Sequence, residues 1–323
     1  MISVLVAVYN AERYLRKCLD SLIGQTFSDI EIICIDDAST DSSWDILQAY
    51  KARDERIILL RNTVNIGQAA SRNRGIEIAS GQYICYLDSD DWFNPDSLSL
   101  VSDTFQHDPA IDCVLFTLVM HYPDSTETFP SASRTLSGQE ACHLSIDWHI
   151  HGVYAAKAEL FRQYPYDTST PYYSDDNTTR IHYLHSRKVA TSAATYNYRR
   201  HADSGTMKLS IHTFDHILAN ISLKETLIKE NVPDEILDTL ELHRLYNLLG
   251  AYKTYWYNKH RFSEEEIHEI HTRMSHVLKT IEIHRIPKKR IYRFGYYPIH
   301  NYPLFRIQEE LFWTLRKAMH KDS

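Results

Sequence analysis

Residues 83–91 read YICYLDSDD: an apolar run that stops abruptly on Asp88, Ser89, Asp90 and Asp91. The same form, a buried strand breaking into polar side chains, occurs upstream in ISVLVAVYN (2–10) and IEIICIDD (30–37). Working outward, strands are expected at Ile2 to Val8, Ile30 to Ile35, Ile57 to Leu60, Tyr83 to Leu87 and Ile111 to Met120, most of them apolar enough for burial on both faces. Between the first two, Tyr14, Leu15, Cys18, Leu19, Leu22 and Ile23 recur at helical spacing and Gly24 ends the pattern. Further helices are expected from Asp41 and from Gln68 to Ala79. Strand and helix in alternation imply βαβ crossovers and a mainly parallel sheet covered by helices. In such sheets ligands bind beyond the carboxyl ends of the strands. Tyr9 and Asn10, Asp36 and Asp37, and the 88–91 turn would then converge on one crevice.

Carboxylates on alternate residues, as at Asp88 and Asp90, can point into one cleft, where oxygen ligands suit Mg²⁺ or Mn²⁺ and leave coordination positions for a diphosphate. The plain alternative is that Asp91 or Asn94 caps a helix starting near Pro95. Asp36 and Asp37 carry a similar choice. A carboxylate there can accept hydrogen bonds from a base or ribose, Asp41 suits a helix cap, and paired acids after a strand also occur in phosphoryl-receiver domains.

The chain has 323 residues, 43% of them hydrophobic, enough for a sizeable core in one or two domains. Its formal charge of −7 is the wrong sign for gripping nucleic acid by its phosphates. The charge is uneven: residues 281–323 hold nine Lys/Arg against four Asp/Glu, and the 280 before them 26 against 38. Five widely spaced cysteines without a CxxC pair read as reduced core residues of a cytosolic protein. The N-terminus lacks the pattern of a signal peptide, and no run of about 18 apolar residues offers a membrane span. The expectation is a cytoplasmic protein, at most peripheral on the inner face of the membrane. After a mixed stretch over 121–208, helices are expected around 209–230, 234–258, 263–282 and 303–318.

VLVAVYNAERYLRKCLDSLIGQTFSDIEIICIDDASTDSSWDIL followed by NIGQAASRNRGIEIASGQYICYLDSDDWFNPDSL resembles the nucleotide-binding half of family 2 glycosyltransferases with the GT-A fold. The resemblance covers about the first hundred residues, in order. It implies that Ala7 and Tyr9 line a base pocket, that Asp37 contacts the base, that Asp88 holds the ribose, and that Asp90 is the metal ligand of a DxD motif for Mn²⁺ or Mg²⁺. Arg72, in the SRN segment, matches a nucleotide-facing position, with a helix-surface ion pair as the alternative. More weakly, HGVYAAKAELF and YSDDNTTRIHYLHSRKVA resemble the family's acceptor half, where an acidic pair supplies the catalytic base; here the pair is Asp175 and Asp176, preceded by Ser174. The second acid points to Asp176, with Asp175 as the alternate one position away, and a helix cap on TTRIHYLH is compatible with either role. YRRHADSGT (198–206) stands where relatives carry a segment that closes over the diphosphate, which makes Arg199 and Arg200 candidate phosphate contacts and His201 a candidate metal ligand. The QxxRW motif of processive polymerases is absent, so one sugar per encounter is expected.

The resemblance thus implies an inverting hexosyltransferase: residues 1–208 a GT-A catalytic domain (1–120 nucleotide-binding, 121–208 acceptor), and 209–323 a helical region with a basic aromatic tail. It would move one sugar from a nucleotide-sugar, expected to be a UDP-sugar, to a glycan or lipid-linked acceptor in bacterial surface polysaccharide biosynthesis. Two rivals stand beside it: a sugar nucleotidyltransferase, disfavoured because AVYNAERYL lacks a Gly-rich loop, and a non-catalytic nucleotide-sugar-binding scaffold. The tail suits an anionic membrane surface, a homodimer contact or a plain packing helix.

Overall fold

The computed structural model describes residues 1–129, 134–173, 175–201, 208–291 and 300–319. The chain divides into two compact units, Met1–Met207 and Lys208–Ser323.

The first unit is a mixed sheet of ten strands: β1 (Ile2–Val8), β2 (Ile30–Asp36), β3 (Ile57–Arg61), β4 (Tyr83–Tyr86), β5 (Trp92–Phe93), β6 (Ile111–His121), β7 (Thr126–Thr128), β8 (Leu136–Ser137), β9 (Tyr154–Lys157) and β10 (Lys188–Arg199). The main order is β3-β2-β1-β4-β9-β6-β10-β5, with β7 on β6 and β8 on β10. Its helices are α1 (Leu15–Ile23), α2 (Ser43–Lys51), α3 (Gln68–Ile78), α4 (Ser97–His107), α5 (Gly138–Ile146), α6 (Ala158–Gln163) and α7 (Asp175–Leu184).

β1 to β4 are parallel, as their unbroken apolar runs require: β1 and β2 are buried on both faces, apart from a partly buried Ala7. The second half departs from that pattern. β9 runs antiparallel between β4 and β6, and β10 returns parallel to β6. β9 is only four residues long and rich in small side chains (YAAK), too little periodicity to announce a strand. Because β2–β3 lie on one side of β1 and β4 on the other, the order reverses at β1, which opens a crevice at the carboxyl ends of β1, β2 and β4. α3 lies close on the sheet because Gly75 lets it: a Cβ there would stand 3.0 Å from Leu5 and Ile35.

All five cysteines are unpaired and buried. The second unit is helical: α8 (Asp215–Lys229), α9 (Asp234–Asn258), α10 (Glu264–Thr280), α11 (Lys288–Ile291) and α12 (Tyr302–Ala318). Leu245, Leu248, Tyr252, Met274, Phe305 and Trp313 share its core. Within that core Glu241 and Arg244 pair at 2.9 Å, and Lys224 reaches Glu241 at 2.6 Å. Buried charges of this kind are tolerable when each has its counter-charge. No helix among the described residues is long and apolar enough to cross a membrane.

Candidate active site

The crevice is assembled from loops laced across strand ends. Asn10, at φ +49, accepts from the Thr40 N–H at 2.8 Å, and the Asn10 N–H donates to Ser39. This holds the turn after β1 against that after β2 and leaves Tyr9 half exposed, with Ala7 just below it. Asp41 accepts from the N–H of Ser43 at 2.9 Å and of Glu12 at 3.1 Å, so it caps the entry to α2 and ties in the first turn as well.

Asp37 is buried, and its carboxylate is engaged by its own surroundings. Oδ1 accepts from Asn62 Nδ2 at 2.7 Å and the Ile66 N–H at 2.9 Å, and Oδ2 from the Gly67 N–H at 2.8 Å. Gly67 has φ +89, which favours glycine, so the loop after β3 folds back onto Asp37. Two carboxylate oxygens offer about four acceptor positions. Three are occupied, and Asp37 shapes the wall of the crevice before any ligand enters.

Asp88, at the end of β4, meets Arg72 of α3: Nη2 donates to Asp88 Oδ1 at 2.5 Å, and Gln68 Nε2 donates to the same oxygen at 2.8 Å. Arg72 is 1% exposed and its guanidinium carbon lies 4.1 Å above the Tyr86 ring. The surface ion pair considered for it is excluded by that burial. Burial pushes the Asp88 carboxyl up, Arg72 works against this, and Asp90 and Asp175 add to it. Burial would lower the Arg72 guanidinium, but Asp88 and the groups around it prevail and raise it.

Asp90 faces His201, whose Nε2 is 2.8 Å from Asp90 Oδ2, while Nδ1 of the same ring is buried without a partner. Arg199 donates through Nε to the Asp90 carbonyl at 2.9 Å and lies over the rings of Tyr14 at 4.7 Å and Trp92 at 4.8 Å. Lys17 stands 3.1 Å from the centre of the Trp92 ring, and its ammonium is lowered by burial and by Arg199. Two cations without a carboxylate partner among the described residues therefore flank the acidic turn. Arg200 is not brought to it: its N–H donates to the His121 carbonyl and its guanidinium lies 5.9 Å from Tyr122 and Tyr198.

Asp91 serves the architecture. Its oxygens accept from Tyr196 at 2.8 Å and the Arg199 N–H at 2.7 Å, pinning the turn to β10. Its carboxyl is pushed well up by burial, with Asp88 and Asp90 adding. The expected caps are corrected here. α4 begins at Ser97 with Asp96 before it, so Asp91 and Asn94 both lie too far upstream. Asn94 instead accepts from Asn197 Nδ2 at 3.0 Å.

The fit to a divalent cation rests on this chemistry. Three carboxyls crowd one turn, each of Asp88 and Asp90 adding to the rise that burial imposes on Asp91, and Asp90 is joined by a ring nitrogen whose mate is orphaned. No group of three or more His, Cys, Asp or Glu forms a ready cage among the described residues. Mg²⁺-type sites commonly use one or two protein ligands and take the rest from phosphate and water. Asp90 and His201 fit that pattern.

Asp175 and Asp176 open α7, where the helix dipole favours negative charge. Asp175 Oδ2 lies 3.5 Å from Arg72 Nη1. The Asp176 carboxyl forms no hydrogen bond among the described residues; burial raises it to about 7 against the pull of Arg180, with Asp175 adding to the rise. That value suits a group exchanging a proton near neutral pH. Ser174 and residues 202–206 of the 198–206 segment lie outside the described residues.

Asn62, Gly67, Tyr14, Lys17, Trp92 and Tyr196 escaped the reading of the sequence. The end of β3 carries its own signal, the polar Arg61 and Asn62 after the apolar run Ile57 to Leu60, of the kind followed at the other strand ends.

A family model described as "Glycosyl transferase family 2" matches residues 3–168. Over 275 residues the chain is 30% identical to EpsH of Bacillus subtilis (strain 168), covering 78% of each protein. It is 49% identical over 100 residues to the poly(ribitol-phosphate) beta-glucosyltransferase of Bacillus spizizenii, a match spanning 30% of this chain and 16% of that one. The fold is similar to the crystal structure of S. aureus TarS 1-349 in complex with UDP-GlcNAc, with a TM-score of 0.70, 17% identity, and coverage of 88% of this chain and 82% of that one.

Proposed function

The chain belongs to family 2 of the glycosyltransferases, and from that premise we propose that it is an inverting enzyme moving one hexose from a UDP-sugar to a hydroxyl of a glycan or lipid-linked acceptor in surface polysaccharide synthesis. The observation that carries the reading is the meeting, at one crevice, of the Asp88–Asp91 turn, its flanking cations and the acids that open α7: Arg72 touches both Asp88 and Asp175.

Ala7 and Tyr9 line the base pocket, whose wall is the loop gathered by Asp37. Asp88 takes the ribose beside Arg72. Asp90 and His201 hold Mn²⁺ or Mg²⁺, which when bound supplies positive charge against that developing on the departing diphosphate. Arg199 and Lys17 add to the same field. Asp176 accepts the proton of the acceptor hydroxyl as its oxygen bonds to the anomeric carbon; the bond to the diphosphate breaks on the opposite face, and the configuration inverts. The catalytic assignment extends over residues 1–208.

The tail is proposed to rest on an anionic membrane surface. α12 packs through Phe305 and Trp313, yet leaves Leu304, Ile307, Leu311 and Leu315 exposed along its other side, with Met319 exposed just past its end. The +5 charge of residues 281–323 suits lipid phosphates and opposes pairing with a second copy.

Incubation with UDP-, GDP- and dTDP-sugars tests the function. Mn²⁺-dependent release of UDP from one UDP-sugar is expected; protection of every donor would mean a binding protein instead.

A further inference from the structure

Arg72 joins two parts of the chain that the sequence keeps far apart. Asp88 follows β4 on the donor side, while Asp175 opens α7, 103 residues after the arginine that faces it. The guanidinium sits between rings, 4.1 Å from Tyr86 and 5.2 Å from Tyr166, and the Tyr86 hydroxyl is itself held by the Gly152 carbonyl at 2.8 Å. Its neighbour Asn73 grips the backbone of Tyr166 at both ends, donating to the carbonyl at 2.9 Å and accepting from the N–H at 2.8 Å. From there Asp167 links to the first turns of α7, its N–H donating to Thr178 at 2.8 Å and its carboxylate accepting from Asn177 Nδ2 at 2.8 Å. Residues 72 and 73 thus anchor Tyr166, and the neighbouring Asp167 holds the first turns of α7. A planar guanidinium holds its donors in a fixed fork and so sets the separation of two carboxylates more rigidly than a lysine's single rotatable ammonium does.

We propose that Arg72 is a positioning residue of the transfer reaction: one buried guanidinium fixes Asp88 and Asp175 at a set separation and leaves Asp176 as the carboxylate free to take the acceptor's proton. This rests on Asp176 being the base. The groups acting on Asp176 are Arg180 and Asp175 of its own helix, with Tyr183 beside it; α5, packed on α7, carries Glu140, Cys142 and His143, and Arg72, Asp88, Tyr86 and Tyr166 lie across Asp175. With Arg72 removed, the charge of Asp175 is no longer offset and bears more strongly on Asp176.

The test compares full-length wild type, Arg72→Lys, Arg72→Gln, Asp175→Asn and the Gln/Asn double variant. Arg72→Lys is expected to lower kcat about 10- to 100-fold, as misplacement of a reacting group does, with a rise in donor KM beside it because Asp88, the ribose ligand, is loosened as well. Arg72→Gln should move the acidic limb of the kcat profile to higher pH, and adding Asp175→Asn should move it back. Asp175 is partly exposed, so its single variant reports even if the buried substitutions unfold the chain: it should move the acidic limb to lower pH. A rise in donor KM alone, or an acidic limb that stays in place in every variant, overturns the proposal. Thermal unfolding of the same variants reads the Arg72–Asp175 coupling without activity. If that coupling is present while Asp176→Asn keeps full turnover, the assignment of the base has failed and the clamp has not.

Discussion

Ionisation of Asp176 should set the acidic limb of activity, and its two charged neighbours should move that limb in opposite directions. With the carboxyl held at about 7, half of the enzyme is in the competent form at pH 7. About a tenth is competent one unit lower and nine tenths one unit higher, so kcat/KM should fall about fivefold over the first unit below pH 7 and about tenfold per unit further down. Arg180 is four residues along the same helix, a spacing of about 5–6 Å between Cβ atoms. At an effective dielectric near 20 a unit charge at that range is worth about 3 kcal/mol, or roughly two pH units, and screening at a partly exposed site cuts this to about one. Arg180→Met should therefore carry the midpoint toward about 8 and leave roughly a fifth of the wild-type rate at pH 7. Asp175→Asn removes a like charge and should carry it toward about 6, nearly doubling the rate at pH 7. The assay is UDP release at low donor concentration across pH 5–9, with thermal unfolding as a control for folding. Midpoints that coincide in all three proteins, or that move the other way, refute the electrostatic argument.

Other consequences concern the metal, the sheet and the tail. Asp90→Asn and His201→Gln should each raise the Mn²⁺ concentration for half-maximal UDP release by about tenfold or more, and unchanged titration curves would remove both from the cation site. Asp112, at the start of β6, would be raised by burial, but Arg187 and Lys157 donate to it at 2.7–2.9 Å and hold it at about 2. A carboxyl lowered on folding adds stability above its unfolded value near 4, and that stability is lost as pH falls toward 2. Asp112→Asn should therefore cost about 1–2 kcal/mol at pH 7, after discounting for its exposed partner Arg187, and progressively less below pH 4 in urea unfolding. Leu311→Glu with Leu315→Glu should abolish sedimentation with anionic vesicles while leaving the melting temperature unchanged; equal sedimentation, or a wild type that ignores vesicles, contradicts the membrane contact.

Much of the crevice was legible because strand ends announce themselves. An apolar run that stops on Asp37 or Asp88 leaves those side chains nowhere to go but the rim of a sheet, and the alternation of strand and helix then fixes which rims adjoin. Asp88 and Asp90 were legible from their alternate spacing at a strand end, whereas His201, 111 residues from Asp90, was a candidate only through the family resemblance, and the 2.8 Å contact is a product of β10 running beside the turn. What stayed hidden is long-range pairing. Asn94 looks like a cap by local rules, but Asn197, brought alongside by β10, claims its side chain first. Asp37 looks like a free ligand, because nothing in IEIICIDD reveals that the loop after β3 will fold onto it. The burial of Arg72 was equally invisible: on a helical wheel it is one more charge on α3, and it is enclosed by Tyr86, Tyr166 and Asp175, which come from three other places in the chain.

The most direct test combines stereochemistry with one substitution. Proton NMR of the product formed from an α-linked UDP-sugar by the wild type, set beside turnover and donor affinity of Asp176→Asn, addresses the base and the inversion together. The account expects a β-linked product, a rate lowered by about 10²–10⁴ in the variant, and donor affinity within about threefold of the wild type. An α-linked product, or an Asp176→Asn enzyme that turns over at the wild-type rate, would contradict it.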